Sequence, residues 1–124
     1  MAQAKESPLR AIDLPAESRQ IVPALKLLAG EIKAGRATAG VLLVQSAAAA
    51  VTFANHCPSL RAIVGTCLEA VEQGIQQVAA NVLVVEHPHR TLHQAKSMLT
   101  RFARARRDLP EDVRRQLDEL ASCG

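Results

Sequence analysis

Aromatic residues are nearly absent from this chain of 124 residues: it has no tryptophan or tyrosine, and its two phenylalanines are Phe53 and Phe102. Surfaces that stack the bases of nucleic acids need several exposed aromatic rings, so the composition argues against that class of binding. The 15 Lys and Arg residues exceed the 12 Asp and Glu residues by a net charge of only +3. Such a mild excess does not by itself predict a nucleic-acid partner.

Long apolar runs and paired cysteines are also missing. No run reaches the roughly 18 residues that a membrane span requires, and the opening residues, MAQAKESPLR, contain no apolar core of a secretory signal. The three cysteines, Cys57, Cys67 and Cys123, are odd in number and lack CxxC spacing, which indicates reduced thiols rather than a disulfide framework or a zinc knuckle. We therefore expect a cytoplasmic protein that has no membrane partner and no cofactor.

Short apolar runs alternate with amphipathic segments along the chain. Val41–Val44, Leu60–Val64 and Val82–Val85 have the composition of buried strands, and Leu9–Leu14 is either a short strand or the approach to a helix. Apolar residues at helical spacing predict helices over 16–33, 47–55, 67–78, 91–102 and 111–120. Within this pattern, Gly35, Thr66 and Thr91 are expected helix caps.

This alternation is typical of an α/β fold with a parallel sheet. We predict a three- to four-stranded, Rossmann-like sheet flanked by helices. The expected divisions are a loose segment over 1–15, the α/β domain over 16–107 and a C-terminal amphipathic helix over 108–124. Three strands make a thin sheet, so a fourth strand or a partner chain is expected.

Parallel strands joined by right-handed crossovers align their carboxyl ends at one edge, where such sheets bind ligands. The candidate binding residues at this edge are Gln45, Ser46, Asn55, Thr66, Glu86, His87 and His89. Glu86 and the three nearby histidines, which include His93, are a possible four-ligand set for zinc, but a solvated loop explains them as well. Cys57 and Cys67 are candidate nucleophiles, with a small, half-buried structural residue as the simpler interpretation.

Between about Gly40 and Arg104 the chain resembles the C-terminal half of ribose-5-phosphate isomerase B, a family that includes the galactose-6-phosphate isomerase subunits. Residues 53–62, FANHCPSLRA, match a family stretch of the form A-A-N-K-x-P-G-I-R-A. Residues 80–84, ANVLV, match the stretch A-N-V-L-x that leads into a strand, and residues 94–103 match a helix that ends in Phe. No gap is needed between Val41 and Ala103. The resemblance implies the family's fold, truncated here, and the interconversion of aldose and ketose phosphates through an enediol.

The residues that carry this chemistry in the family are replaced. Val44 stands where the family commonly has a catalytic cysteine, and the glycine-rich loop after it reads QSAAA. Gln77-Val78 replaces a His-Asn pair, and Pro88 replaces an arginine. The Asp-His pair of the family's first strand has no counterpart, because that strand is expected to be missing. Asn55, Arg61 and Asn81 do match, and we expect the latter two to hold the backbone or to pack.

The resemblance also implies a role for the arginines of the C-terminal region. Because family members use C-terminal arginines to grip phosphate across a dimer interface, Arg104, Arg106 and Arg107 are candidate phosphate ligands. A solvated helical face, with pairs such as Glu111–Arg115, is the structural alternative.

Three hypotheses follow. The first is a degenerate, non-catalytic isomerase-like module that binds or assembles, as a homodimer or with a longer isomerase paralogue, with a sugar phosphate as an expected ligand. The second is a sugar-phosphate isomerase whose site has moved to Ser46, Glu86, His87 or His89, or that acts with a partner subunit. The third is contact of the arginine-rich stretch with an anion or a nucleic acid.

Overall fold

The computed structural model describes the backbone of residues 9–14, 21–86 and 92–123, and the side chains of 21–86 and 95–123. Four strands form in these ranges: β1 (Leu9–Leu14), β2 (Ala39–Val44), β3 (Ala62–Val64) and β4 (Val82–Glu86). Five helices form as well: α1 (Ile21–Lys33), α2 (Ala47–Asn55), α3 (Leu68–Val78), α4 (Leu92–Ala103) and α5 (Glu111–Ala121). The expected α/β class is confirmed.

The four strands form one parallel sheet in the order β1-β2-β4-β3. Val44, the last residue of β2, is in register with Leu14 on one side and with Glu86 on the other. The carboxyl ends of β1, β2 and β4 therefore meet at one edge, which we call the carboxyl edge. The opposite edge, where β2, β3 and β4 begin, is called the amino edge.

Helices cover both faces of the sheet. Alternate residues of a strand point to opposite faces, so β4 sends Val82 and Val84 to one face and Leu83 and Val85 to the other. Helices α1 and α2 pack on the first face, and α3 and α4 pack on the second. Leu28 of α1 lies so close to Gly40 of β2 that a Cβ atom there would overlap its side chain. These contacts bury the branched residues that predicted the strands.

Helix α5 differs from the other helices because none of its residues is buried. Its apolar stripe, expected from the sequence, faces solvent: Leu117 is 40% exposed and Leu120 is 65% exposed. An amphipathic helix normally buries such a stripe. In this chain α5 thus presents an apolar surface that is not covered by the described residues.

The structure corrects one expectation at the chain's N-terminal end. A strand, β1, forms over Leu9–Leu14, which the sequence left open between a short strand and the approach to a helix. The sheet thus includes residues that the sequence assigned to the loose segment over 1–15. The predicted start of the first helix at residues 16–18 and the expected cap at Thr91 lie outside the described residues.

Two local predictions elsewhere were also wrong. Strand β3 begins at Ala62 rather than at Leu60, because the Leu60 N–H donates to the Cys57 carbonyl in a turn. Helix α3 is capped by Cys67, whose Sγ accepts from the Ala70 N–H at 3.4 Å, rather than by Thr66. Gly35, by contrast, has the positive φ of 79° expected of a residue that ends a helix. None of the described helices combines the length and apolarity needed to span a membrane.

Candidate functional site

The carboxyl edge places Glu86 beside the start of α2. Because β2 and β4 are neighbours in register, Glu86 lies next to Val44, and the chain after Val44 turns through Gln45 and Ser46 into the helix. Gln45 and Ser46 are both exposed. The structure thus brings three of the predicted binding residues to one place.

The carboxylate of Glu86 is hydrogen-bonded to another part of the same chain. Its Oε2 accepts a hydrogen bond from the backbone N–H of Ala47 at 2.6 Å. The first N–H groups of a helix have no partners inside the helix, and together with the helix dipole they favour an anion. Ser46 occupies the N-cap position but makes no side-chain cap hydrogen bond. The chain's own carboxylate therefore lies where an oxyanion ligand would bind this helix.

The alanines that replace the family's glycines are structural. Ala47 is 5% exposed and Ala49 is partly buried, both against the core on the α1 and α2 face. Val44, at the position of the family's catalytic cysteine, is 3% exposed and packs in the same cluster. An aliphatic side chain cannot take up a proton, and Cβ atoms restrict the close backbone approach that glycines allow.

Two further candidates can be placed at this edge or excluded from it. Thr66 lies exposed just before α3, at the carboxyl end of β3. Asn55 lies at the other edge, because α2 runs back across the sheet and ends there. Its side-chain amide donates to the Ala62 carbonyl at 3.2 Å, and its Oδ1 accepts from the Ala62 N–H at 2.7 Å. Asn55 therefore holds the start of β3 and does not belong to the ligand edge.

The histidine cluster is not tested by the structure. His87 and His89 lie outside the described residues, and only the backbone of His93 is described, in α4. Among the described residues, no three His, Cys, Asp or Glu side chains are grouped so that they could hold a metal ion.

The amino edge contains a denser set of polar contacts. Asn81 is 4% exposed; its Oδ1 accepts from the Arg61 N–H at 2.7 Å and its amide donates to the Ser59 carbonyl at 2.9 Å. Arg61 in turn donates through Nε to the Val78 carbonyl at 2.9 Å and through a terminal nitrogen to the Ala79 carbonyl at 3.0 Å. These carbonyls end α3, where a cation is favourable. The expected structural roles of Arg61 and Asn81 agree with this geometry.

Arg107 reaches the same region from the chain that follows α4. Its guanidinium stacks 4.4 Å from the centre of the Phe102 ring and donates to the Ala80 carbonyl at 2.9 Å and to the Ala105 carbonyl at 3.1 Å. Burial, and then the charges of Arg61 and Arg101, lower the pKa of Arg107 to about 10. Burial and the charge of Arg114 also lower the pKa of Arg61.

The three predicted phosphate ligands do not lie together. Arg106 and Arg107 line a cavity at the amino edge, with Arg61 and Asn81. Arg104 is exposed and lines a separate hollow beside Lys96, Thr100 and Arg101. Sequence reasoning did not assign Arg61 to this group. Arg61 directly precedes β3, and Asn81 directly precedes β4. Because β3 and β4 are parallel neighbours, the strand order could have placed Arg61 beside Asn81.

Comparison with known proteins shows the same fold in enzymes of one type. The type B ribose 5-phosphate isomerase of Thermotoga maritima aligns with a TM-score of 0.68 and 22% identity, over 77% of this chain and 67% of that chain. The Trypanosoma brucei enzyme of the same type aligns with a TM-score of 0.71 and 14% identity, over 95% and 99% of the two chains. The Clostridium thermocellum enzyme aligns with a TM-score of 0.68 and 18% identity, over 82% of this chain and 68% of that chain.

These comparisons confirm the fold that the resemblance implied. The chain spans about two thirds of the length of the Thermotoga maritima enzyme and nearly all of the Trypanosoma brucei one. No family model matches the chain, and no curated protein matches it. Divergence in sequence is therefore large although the backbone architecture is retained.

Proposed function

We propose that this chain is a divergent, non-catalytic relative of type B ribose 5-phosphate isomerases that acts as an assembly module. The observation that carries the proposal is the hydrogen bond from the Ala47 N–H to the Glu86 carboxylate. An internal anion at this helix terminus competes with the phosphate or the enediolate oxygen of a sugar substrate. Val44 next to it offers no base for moving a proton between the two carbons.

A direct assay tests the loss of chemistry. Purified protein is incubated with ribose 5-phosphate, and formation of ribulose 5-phosphate is followed against a type B enzyme measured at the same concentration. We expect no turnover above the uncatalysed rate for the wild-type chain. Turnover that disappears in Glu86→Gln would instead support the relocated-site isomerase, with Glu86 as its acid or base.

The assembly role rests on two exposed apolar surfaces of opposite charge character. A groove of about 460 Å³ lies between α1 and α2 and is lined by Leu25, Ala29 and Phe53, with Lys26, Lys33 and His56 among its other lining residues. Phe53 is 46% exposed there, and Val22 is 45% exposed. Helix α5 offers the complement, because Leu117 and Leu120 are exposed and the helix contains four acidic residues against two arginines.

In the proposed homodimer, α5 of one copy packs in this groove of a second copy. Burial of leucine side chains against Phe53 favours the complex, and acidic residues facing Lys26 and Lys33 set the orientation. The free thiols of Cys57, Cys67 and Cys123 fit the reducing cytoplasm that we propose as its location.

Sedimentation equilibrium measures this association. Leu117→Asp should weaken dimerisation at least about tenfold, because it places a carboxylate in an apolar contact. Gln116→Asp is the matched control: it introduces the same charge at the neighbouring exposed position of α5 and should leave association within about twofold. A wild-type chain that remains monomeric, or that associates only with a full-length isomerase, would overturn the homodimer.

A further inference from the structure

The amino edge contains a cavity of about 480 Å³ that the isomerase-like geometry of the carboxyl edge does not use. Its polar lining comes from Thr38, Arg61, Asn81, Arg106, Arg107 and Asp108. Ile32, Ala37 and Ala105 contribute apolar surface to the same walls. Sites for small molecules typically have volumes of about 300–1,000 Å³ and combine apolar walls with a few placed polar groups.

Three arginines line this cavity against one carboxylate, so its positive charge is only partly balanced. Within the described residues, Arg61, Arg106 and Arg107 form no ion pair, whereas Arg36 pairs with Glu31 and Arg101 pairs with Glu72. Arg61 and Arg107 donate to backbone carbonyls instead, which satisfies their N–H groups but leaves their charges uncompensated. Asp108 is the one carboxylate in the lining.

The arginines also disfavour one another. Each of Arg61 and Arg107 is partly buried, and the charge of Arg61 contributes to the lowered pKa of Arg107. Arg114 of α5 adds a further positive charge close enough to lower the pKa of Arg61. A partly desolvated group of like charges is stabilised by any anion that enters it, and the low dielectric makes the attraction stronger than at an open surface.

We infer that this cavity binds a small anion that carries phosphoryl groups. Arginine is suited to this role because its planar guanidinium presents several N–H donors to phosphoryl oxygens. Arg106 is exposed and makes no hydrogen bond within the described residues, so its donors are available to a ligand. Arg61 and Arg107 supply fixed charge, since their hydrogen bonds to the backbone hold the guanidinium groups in place.

This site is separate from the one on which the proposed function rests. The Glu86 contact lies at the carboxyl edge, and the arginine cavity lies where β2, β3 and β4 begin. All of its lining comes from one copy of the chain, so binding there needs neither a second subunit nor isomerase chemistry. The two proposals can consequently fail independently.

Inorganic pyrophosphate is the probe for the test. It is titrated into the full chain at constant ionic strength and binding is followed by calorimetry, with thermal unfolding as a second readout. We expect saturable binding and a midpoint of unfolding that rises with ligand concentration. Absence of saturation, or a response to pyrophosphate equal to that to chloride at matched ionic strength, would overturn the inference.

Two arginines separated by one residue provide a matched pair of variants. Arg106→Gln should weaken pyrophosphate binding about tenfold, because it removes a charged donor from the cavity. Arg104→Gln makes the same change in net charge outside the cavity and should alter binding less than about twofold. Equal losses in the two variants would show general electrostatic attraction and contradict a built site.

A third variant separates the two edges of the sheet. Glu86→Ala should leave pyrophosphate binding unchanged, because Glu86 lies at the opposite edge. If Glu86→Ala strengthened binding while Arg106→Gln had no effect, the anion would be binding at the start of α2, and the inference about the amino edge would be wrong. Arg61→Gln is not the primary test, since Arg61 also holds the end of α3.

Discussion

The two edges of the sheet differ in their polar contacts and in their charge. At the carboxyl edge, where parallel sheets usually bind ligands, Val44 is buried and Glu86 is bonded to the start of α2. At the amino edge, Arg61, Asn81 and Arg107 converge through hydrogen bonds to the backbone. At the carboxyl edge the chain's own carboxylate thus bonds the start of α2, while the amino edge retains an excess of positive charge.

This difference explains why a resemblance in sequence can persist where residues at the positions of the family's catalytic groups, such as Val44, are replaced. The matched residues Asn55, Arg61 and Asn81 all lie at the amino edge and fasten the segment between α2 and β3. Their amide and guanidinium groups are specific to that backbone geometry, so a change at any one leaves a backbone group without a partner. At the carboxyl edge, by contrast, Gln45 and Ser46 are exposed, so these positions can change without loss of the scaffold.

The strongest test of this contrast is the replacement of Asn81. Asn81→Ala should lower the free energy of unfolding by about 2–4 kcal/mol, because Asn81 is buried and the Arg61 N–H and the Ser59 carbonyl both lose their partner. Urea denaturation followed by circular dichroism measures the change. Gln45→Ala, at the exposed carboxyl edge, should change stability by less than about 0.5 kcal/mol. Similar losses in both variants would remove the distinction between the edges.

Replacing Glu86 tests the side-chain contact that joins β4 to the start of α2 at the carboxyl edge. Glu86→Ala should lower the free energy of unfolding by about 1 kcal/mol, since an N–H at the start of α2 loses its carboxylate. Hydrogen exchange should show faster exchange of the Ala47 amide in this variant. Ser46→Ala is the control: Ser46 makes no cap bond, so it should cost less than the roughly 1 kcal/mol of a working cap. An unchanged Ala47 exchange rate would contradict the contact.

Much of the fold was predictable from local pattern. The bounds of α2 and the body of β4 follow from composition and periodicity, and Gly35 ends its helix turn as its residue type predicts. The residue that caps α3 was not predictable, because Thr66 and Cys67 are adjacent and the side chain of either can accept a hydrogen bond from a backbone N–H of the helix. Such a choice depends on the exact backbone torsions at the strand end.

The arrangement of polar groups was much less predictable. Glu86 and Ala47 are 39 residues apart, and their contact depends on β4 lying beside β2 rather than at the sheet's border. Asn55 was placed at the wrong edge because it follows the ligand loop in sequence but lies a full helix length away from it. Strand order and helix direction, which local periodicity does not encode, decide both cases.

The smallest expected effect concerns the like charges at the amino edge. Arg61→Met and Arg107→Met each remove hydrogen bonds to backbone carbonyls, but each also relieves the repulsion felt by the other arginine. Each single variant removes the repulsion between the two arginines, and the double variant removes the same repulsion only once. The stability lost by the double variant should therefore exceed the sum of the two single losses by a few tenths to about 1 kcal/mol. Both side chains are partly exposed, which limits the coupling. A double-mutant cycle by urea denaturation measures it, and repetition in 0.5 M NaCl separates charge from packing. A coupling of charge origin should shrink in salt, whereas one that persists unchanged would indicate that the two arginines communicate through the shared Ala79-Ala80 backbone instead.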